Sequence, residues 1–90
     1  MTQVILITVA DREILTTRFT SIKEAQAQMR IEMIEWGRVP KEAFEAKEYD
    51  KEGEYYFSEF KGWANDGWDH IDYDWSIVDL GEDNYDTSPL

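Results

Sequence analysis

The residues best suited to chemistry lie between Phe57 and Leu80, in the segment FSEFKGWANDGWDHIDYDWSIVDL. It holds three of the four Trp residues (Trp63, Trp68, Trp75), the only His (His70), an Asn65-Asp66-Gly67 turn signal, and Asp at 66, 69, 72 and 74. Hard oxygens from Asn65, Asp66, Asp69, Asp72 and Asp74 suit Ca²⁺, but their spacing departs from the Asp-x-Asp-x-Asp-Gly pattern with a distant bidentate Glu that an EF-hand requires. A carboxylate pair serves glycoside hydrolysis only beside a cleft able to hold a sugar, and a domain of this size offers little cleft. Nucleophilic catalysis has no better footing, because the chain lacks Cys and no Ser sits in a Gly-x-Ser-x-Gly setting. The expectation is a protein that is not an enzyme and holds neither metal nor cofactor. A calcium-stabilised domain and a small hydrolase stand as minor alternatives.

Protein recognition asks less of the same residues. Interface cores favour Trp and Tyr, and charged rims set orientation and association rate. If Asp66-Gly67 forms a two-residue turn, Phe60 lies opposite Tyr73 and Ser58 opposite Trp75. One face then collects Tyr56, Phe60, Ile71, Tyr73, Trp75 and Ile77. The other collects Phe57, Glu59, Lys61, Trp63, His70, Asp72, Asp74 and Ser76, with Lys61 opposite Asp72 and Trp63 opposite His70. A longer loop over residues 65–73 is the competing reading, because Asp69 to Asp72 is poor in strand formers. The expected binding residues are Trp63, Trp68, Asp69, His70, Asp72, Asp74 and Glu59, with Trp63 and Trp68 as anchors. Carboxylates at i and i+2 on one strand face lie about 6.6 Å apart. Asp72 and Asp74, extended by Glu59, therefore resemble a line of phosphates, and a DNA-mimic inhibitor of a DNA-binding protein is the second reading.

The elements that must position this segment are legible in part. Val4 to Ala10 and Ile14 to Thr20 are rich in β-branched residues and read as a hairpin. Asp11-Arg12 makes a poor two-residue primed turn, because Arg resists positive φ, so a longer loop is expected. Val4 to Val9 shows no alternation, which predicts a strand covered at least partly on both faces. Ser21 followed by Glu24 is a capping box that opens a helix, and Ile22, Ala25, Met29, Met33 and Trp36 recur at helical period up to a stop at Gly37. A second apolar line, Ala27, Ile31 and Ile34, is to be covered by the segment after Gly37; failing that, Ile31 and Ile34 are a homodimer face. Pro40 fits the first turn of a short helix over 41–47, anchored by Phe44. Residues 49–53 read as an exposed loop ending in a turn, and 54–64 and 71–80 as a second pair of strands. The predicted core adds Val4, Leu6, Leu15 and Phe19.

The fold expected from this order is α+β, a ββαββ arrangement in which an antiparallel sheet of about four strands carries one main helix on one face. Residues 1–80 form a single domain, and 81–90 an acidic, flexible tail.

Charge restricts the partners. Residues 1–45 carry 6 Lys/Arg and 7 Asp/Glu, whereas residues 46–90 carry 3 and 13, so nearly all of the net −11 sits in the second half. Such a field repels nucleic acid and anionic membrane and steers basic partners toward it. The apolar run near the N-terminus follows no basic stretch and is broken by Thr8 and Asp11, unlike a signal peptide. No stretch approaches the roughly 20 apolar residues of a membrane span, and a cytoplasmic location is expected.

The Trp63-Ala64-Asn65-Asp66-Gly67 stretch, followed by Asp69-His70-Ile71-Asp72-Tyr73-Asp74-Trp75, resembles small acidic proteins encoded by phages and mobile elements of Gram-positive bacteria. They are similar in having an N-terminal hairpin, a helix opened by Ser-x-x-Glu and a C-terminal Trp-x-Asn-Asp…Tyr-Asp-Trp segment. The resemblance brings no activity or cofactor with it. It implies a mobile-element setting, in which short acidic proteins act by binding and inhibiting a host protein. The combined expectation is a small acidic non-enzymatic module that binds the basic surface of another protein through its C-terminal hairpin.

Overall fold

A computed structural model describes residues 2–66 and 71–82. The chain runs β1 (Thr2–Ala10), β2 (Glu13–Phe19), α1 (Ile22–Glu35), α2 (Lys41–Glu45), β3 (Asp50–Lys51), β4 (Tyr55–Phe57), β5 (Lys61–Asp66) and β6 (Ile71–Glu82). The fold is α+β, with every strand pair antiparallel. Among the described residues it holds a single sheet of six strands rather than about four, in the order β2-β1-β6-β5-β4-β3. β6 thus pairs with β1, and among the described residues the expected ββαββ order gives way to ββααββββ.

The extra strands come from residues 49–64. Tyr55 and Phe57 pair with Ala64 and Gly62, so the segment read as one strand is a hairpin that turns over Ser58-Glu59-Phe60. Ser58 builds that turn: its N–H donates to the Lys61 carbonyl at 2.8 Å, and its hydroxyl oxygen accepts from Lys61 N–H at 3.3 Å. The turn shifts alternation by one residue. Tyr55 and Phe57 point into the core, whereas Phe60 is 40% exposed and Tyr56 half-buried, reversing the expected roles of these aromatics. Asp50–Lys51 pairs with Tyr56 and Tyr55, so the expected loop contains a short edge strand whose turn uses Gly53 at φ 79°.

The β1–β2 connection is the two-residue turn that Arg12 argued against. Asp11 takes the positive φ, at 58°, and Arg12 does not need to. A short side chain that bonds locally tolerates that conformation better than Arg does.

Helix α1 opens where expected. Ser21 Oγ accepts from Glu24 N–H at 3.2 Å, while the Glu24 carboxylate accepts from the hydroxyls of Thr20 (2.9 Å) and Ser21 (3.1 Å). The box is therefore closed through hydroxyl groups. Ala25, Met29 and Met33 face the core, but the helix ends at Glu35 and Trp36, its C-cap, is 38% exposed, so the expected stripe loses its last member. The left-handed residue of the helix end is Arg38, at φ 57°, and not Gly37. Gly37 serves close approach instead: a Cβ there would sit 2.8 Å from Ala64 Cβ and 2.9 Å from the Met33 carbonyl oxygen. The Val39 N–H then bonds the Met33 carbonyl at 3.0 Å and turns the chain back, burying Val39 and Ala43. That return does not cover Ile31, which stays 47% exposed.

Helix α2 spans Lys41–Glu45 with Pro40 as its N-cap, and Phe44 stacks on Phe57 with ring centroids 4.4 Å apart. The core is the cluster of Val4, Leu6, Ala25, Met29, Met33, Val39, Ala43, Tyr55, Phe57, Ala64, Trp75 and Ile77, with Phe19, Ile22, Phe44 and Tyr73 packed against it. Leu15, expected inside, is 45% exposed because β2 lies at the sheet edge. Gly81 and Glu82, assigned to the tail by sequence, pair with Gln3 and Thr2 as the end of β6.

Candidate interaction face

Both helices pack on one side of the sheet through the core cluster, and the other side carries the candidate site. Its geometry follows from three cross-strand rows. Tyr56, Trp63, Asp74, Val9 and Ile14 form the first; Lys61, Ser76, Ile7 and Thr16 the second; Val78, Ile5 and Arg18 the third. Neighbours within a row sit on adjacent strands about 4.8 Å apart, and successive rows about 6.6 Å apart. Beside the first row, Asn65 pairs with Asp72, and its Nδ2 donates to Asp72 Oδ1 at 2.7 Å.

The rows combine two kinds of surface. Ile5, Ile7, Val9 and Trp63 are half-buried, while Ile14 is 67% and Val78 38% exposed. The side chains of Asp72 and Asp74 are exposed. β1 thus lacks alternation because both of its faces are apolar. The expectation that both are at least partly covered agrees with half-buried Ile5, Ile7 and Val9, although among the described residues the cover on the helix-free face comes from neighbouring strands.

Of the residues expected to bind, Trp63, Asp72 and Asp74 come together on this face. Trp63 stands directly opposite Asp74, not His70, and Lys61 opposite Ser76, not Asp72. Asp66 pairs with Ile71, a register that a two-residue Asp66-Gly67 turn does not allow. Expected pairs Phe60 with Tyr73 and Ser58 with Trp75 fall with that turn. The inward set Tyr73, Trp75 and Ile77 and the outward set Lys61, Trp63, Asp72, Asp74 and Ser76 survive, because a register shift of four residues preserves parity. Trp68, Asp69 and His70 lie outside the described residues. Glu59 leaves the group: it belongs to the β4–β5 turn, where its backbone carbonyl accepts from Gln26 Nε2 of α1 at 3.0 Å. Among the described residues no three His, Asp or Glu side chains converge as a metal site.

Sequence reasoning missed Glu32. It is 5% exposed, and its Oε1 accepts from Thr8 Oγ1 at 2.7 Å and from Trp75 Nε1 at 3.0 Å, while Oε2 accepts from Gln28 Nε2 at 2.9 Å. One carboxylate thereby ties α1 to the strands β1 and β6. Its signal was positional, since Glu32 stands three residues after Met29 and next to Met33 on the buried stripe. A charged residue there must be satisfied by donors.

A cavity of about 540 Å³ opens between α1, α2 and the β4–β5 turn, lined in part by Met29, Arg30, Phe44, Tyr49, Phe57 and Glu59. The Arg30 guanidinium carbon lies 5.2 Å from the centroid of the Phe44 ring. Nearby, burial raises the Tyr55 phenol above its ordinary value of 10.0; Glu48 and Glu54 push the same way and Lys51 opposes them.

No family model, curated protein or solved structure matches the chain. No helix among the described residues is long and apolar enough to cross a membrane.

Proposed function

We propose that the protein is a non-enzymatic binding module that docks the basic surface of another protein on its helix-free sheet face. The observation that carries this reading is a half-buried apolar band along β1, Ile5, Ile7 and Val9, set beside the exposed carboxylates of Asp72 and Asp74, with Trp63 on the far side of Asp74. A solvated sheet face ordinarily alternates to polar residues, and contiguous apolar surface rimmed by charge marks interaction sites. Trp63 is the anchor and the two Asp residues set orientation and association rate. Inhibition of a host protein, in the mobile-element setting that the Trp-x-Asn-Asp…Tyr-Asp-Trp segment suggests, is the biological form of this activity. The DNA-mimic reading ranks second, because Glu59 is absent from the row of carboxylates and Lys61 stands on the same face.

The test is capture of a protein from nuclease-treated host lysate by wild type and by an Asp72→Asn, Asp74→Asn variant. Asn at 72 keeps an oxygen to accept from Asn65, so the hairpin should persist. The expected result is a protein retained by wild type alone and released by salt. Equal retention by both chains at high salt would exclude the carboxylates from binding.

A further inference from the structure

The outer edge of β2, whose Ile14, Thr16 and Arg18 also end the three rows of the face just described, supports an inference of its own through its backbone groups. A two-residue turn closes on a hydrogen-bonded pair, here Ala10 and Glu13, and bonding then alternates along the ladder. Glu13, Leu15, Thr17 and Phe19 therefore direct their N–H and C=O groups to β1, and Ile14, Thr16 and Arg18 direct theirs outward. Among the described residues, no backbone group of Ile14, Thr16 or Arg18 has a partner outside the strand ladder. The opposite edge, β3, is two residues long, whereas β2 offers seven residues with no Pro and no bulge. Natural edges of that length are usually blunted. This one instead exposes Ile14 and Leu15, at 67% and 45%.

We infer that the β2 edge pairs with the β2 edge of a second copy of this chain, antiparallel and centred on Thr16. Two strands related by a two-fold axis normal to the sheet keep each face on its own side, so paired residues must share parity. The register with Thr16 opposite itself satisfies that condition, joins the outward groups of Ile14 to those of Arg18, and overlaps all seven residues. It sets Glu13 opposite Phe19 and Arg18 opposite Ile14, so no like charges meet. Sliding two residues one way places Arg12 opposite Arg18, and sliding the other way shortens the overlap.

Charge favours a second copy over a basic peptide at this edge. β2 carries one acid and one base, Glu13 and Arg18, and the residues up to 45 are nearly balanced, while the excess of Asp and Glu follows them. Two copies meet along their least acidic borders. A basic partner is drawn elsewhere.

The test is sedimentation equilibrium over a range of protein and NaCl concentrations. The average mass should climb toward about twice the 10.6 kDa chain, and salt should promote the association, because it screens repulsion between two chains of net charge −11. Thr16→Lys, which sets two ammonium groups face to face on the axis, should match the wild-type melting temperature at dilution, where both chains are monomers, and should remain a monomer as concentration rises. Thr16→Cys should crosslink to a disulfide dimer under mild oxidation much faster than Ile31→Cys, since hydrogen-bonded antiparallel partners have Cα atoms about 5.5 Å apart, inside the disulfide range. The native chain has no Cys to interfere. If Thr16→Lys fails to fold, the crosslinking comparison decides alone.

A chain that stays monomeric at high concentration and high salt would overturn the inference. So would a dimer that survives Thr16→Lys and is lost in Ile31→Lys, which would assign association to the helix. A monomer whose partner capture is lost in Thr16→Lys would overturn it too, and would assign the β2 end of the sheet to partner binding. Failure of the dimer with capture still dependent on Asp72 and Asp74 would leave the proposed function intact.

Discussion

Glu32 is the residue on which the packing of helix against sheet converges. Its partners among the described residues are neutral donors, and a hydroxyl, an indole and an amide together replace the water that the carboxylate gives up. Removing it leaves the Trp75 N–H and the Thr8 hydroxyl without an acceptor inside the core, a loss of about 1–3 kcal/mol for each buried group. Glu32→Ala should therefore lower stability by about 3 kcal/mol in urea unfolding, and Glu32→Gln, which retains one acceptor oxygen, by about 1 kcal/mol. Equal losses would mean that the charge, not the hydrogen bonding, matters. Tyr55 supplies a pH dependence of definite sign. Its phenol titrates higher in the folded chain than in the unfolded one, so the folded state holds the proton more tightly. The stability from this group is fully present below pH 10.0 and is lost as pH rises through the raised folded value. Between pH 9 and 11 the urea midpoint of wild type should fall more than that of Tyr55→Phe, and parallel curves would remove Tyr55 from the alkaline transition.

At the level of elements, the end of α1 depends on how closely Gly37 approaches the sheet. The atoms a Cβ would strike are the Met33 carbonyl and Ala64 Cβ, neither of which is the free end of a flexible side chain. Gly37→Ala should cost about 1–3 kcal/mol through overpacking, measurable as a lower melting temperature, although the same change in an exposed helix would stabilise it. This also shows what pattern reading can and cannot recover. The start of α1 and the stripe Ala25, Met29, Met33 were legible because capping and period agree. The stop at Gly37 was placed correctly for another reason: the glycine signal marked tight packing, and the left-handed residue is Arg38. In residues 54–60, aromatics occupy both parities, so alternation carried no information and the turn bond of Ser58 was invisible. Glu59 was misplaced for that reason, while Trp63, Asp72 and Asp74, beyond the turn, were assigned to the correct face. The apolar half of the face went unread as a surface because an unbroken run such as Val4 to Val9 looks the same whether its second side lies under a helix or is half-covered by neighbouring strands.

For the whole molecule, charge acts on folding and on recognition with opposite signs. The net −11 is concentrated in residues 46–90, the half of the chain that supplies β3 to β6, so folding holds like charges together and salt should relieve the repulsion. Raising NaCl from about 20 mM to about 0.5 M shrinks the screening length from roughly 20 Å to about 4 Å, and the melting temperature should rise by a few degrees. Partner binding through Asp72 and Asp74 should weaken over the same range, because screening removes the attraction that steers a basic surface inward. The Asp72→Asn, Asp74→Asn variant should show both slopes reduced: a smaller salt-induced gain in melting temperature and little salt dependence in whatever binding survives. Opposed slopes that diminish together would tie both effects to the same two carboxylates. A melting temperature that rises with salt equally in both chains would locate the repulsion in the other acids of the second half, and the case for Asp72 and Asp74 would then rest on binding alone.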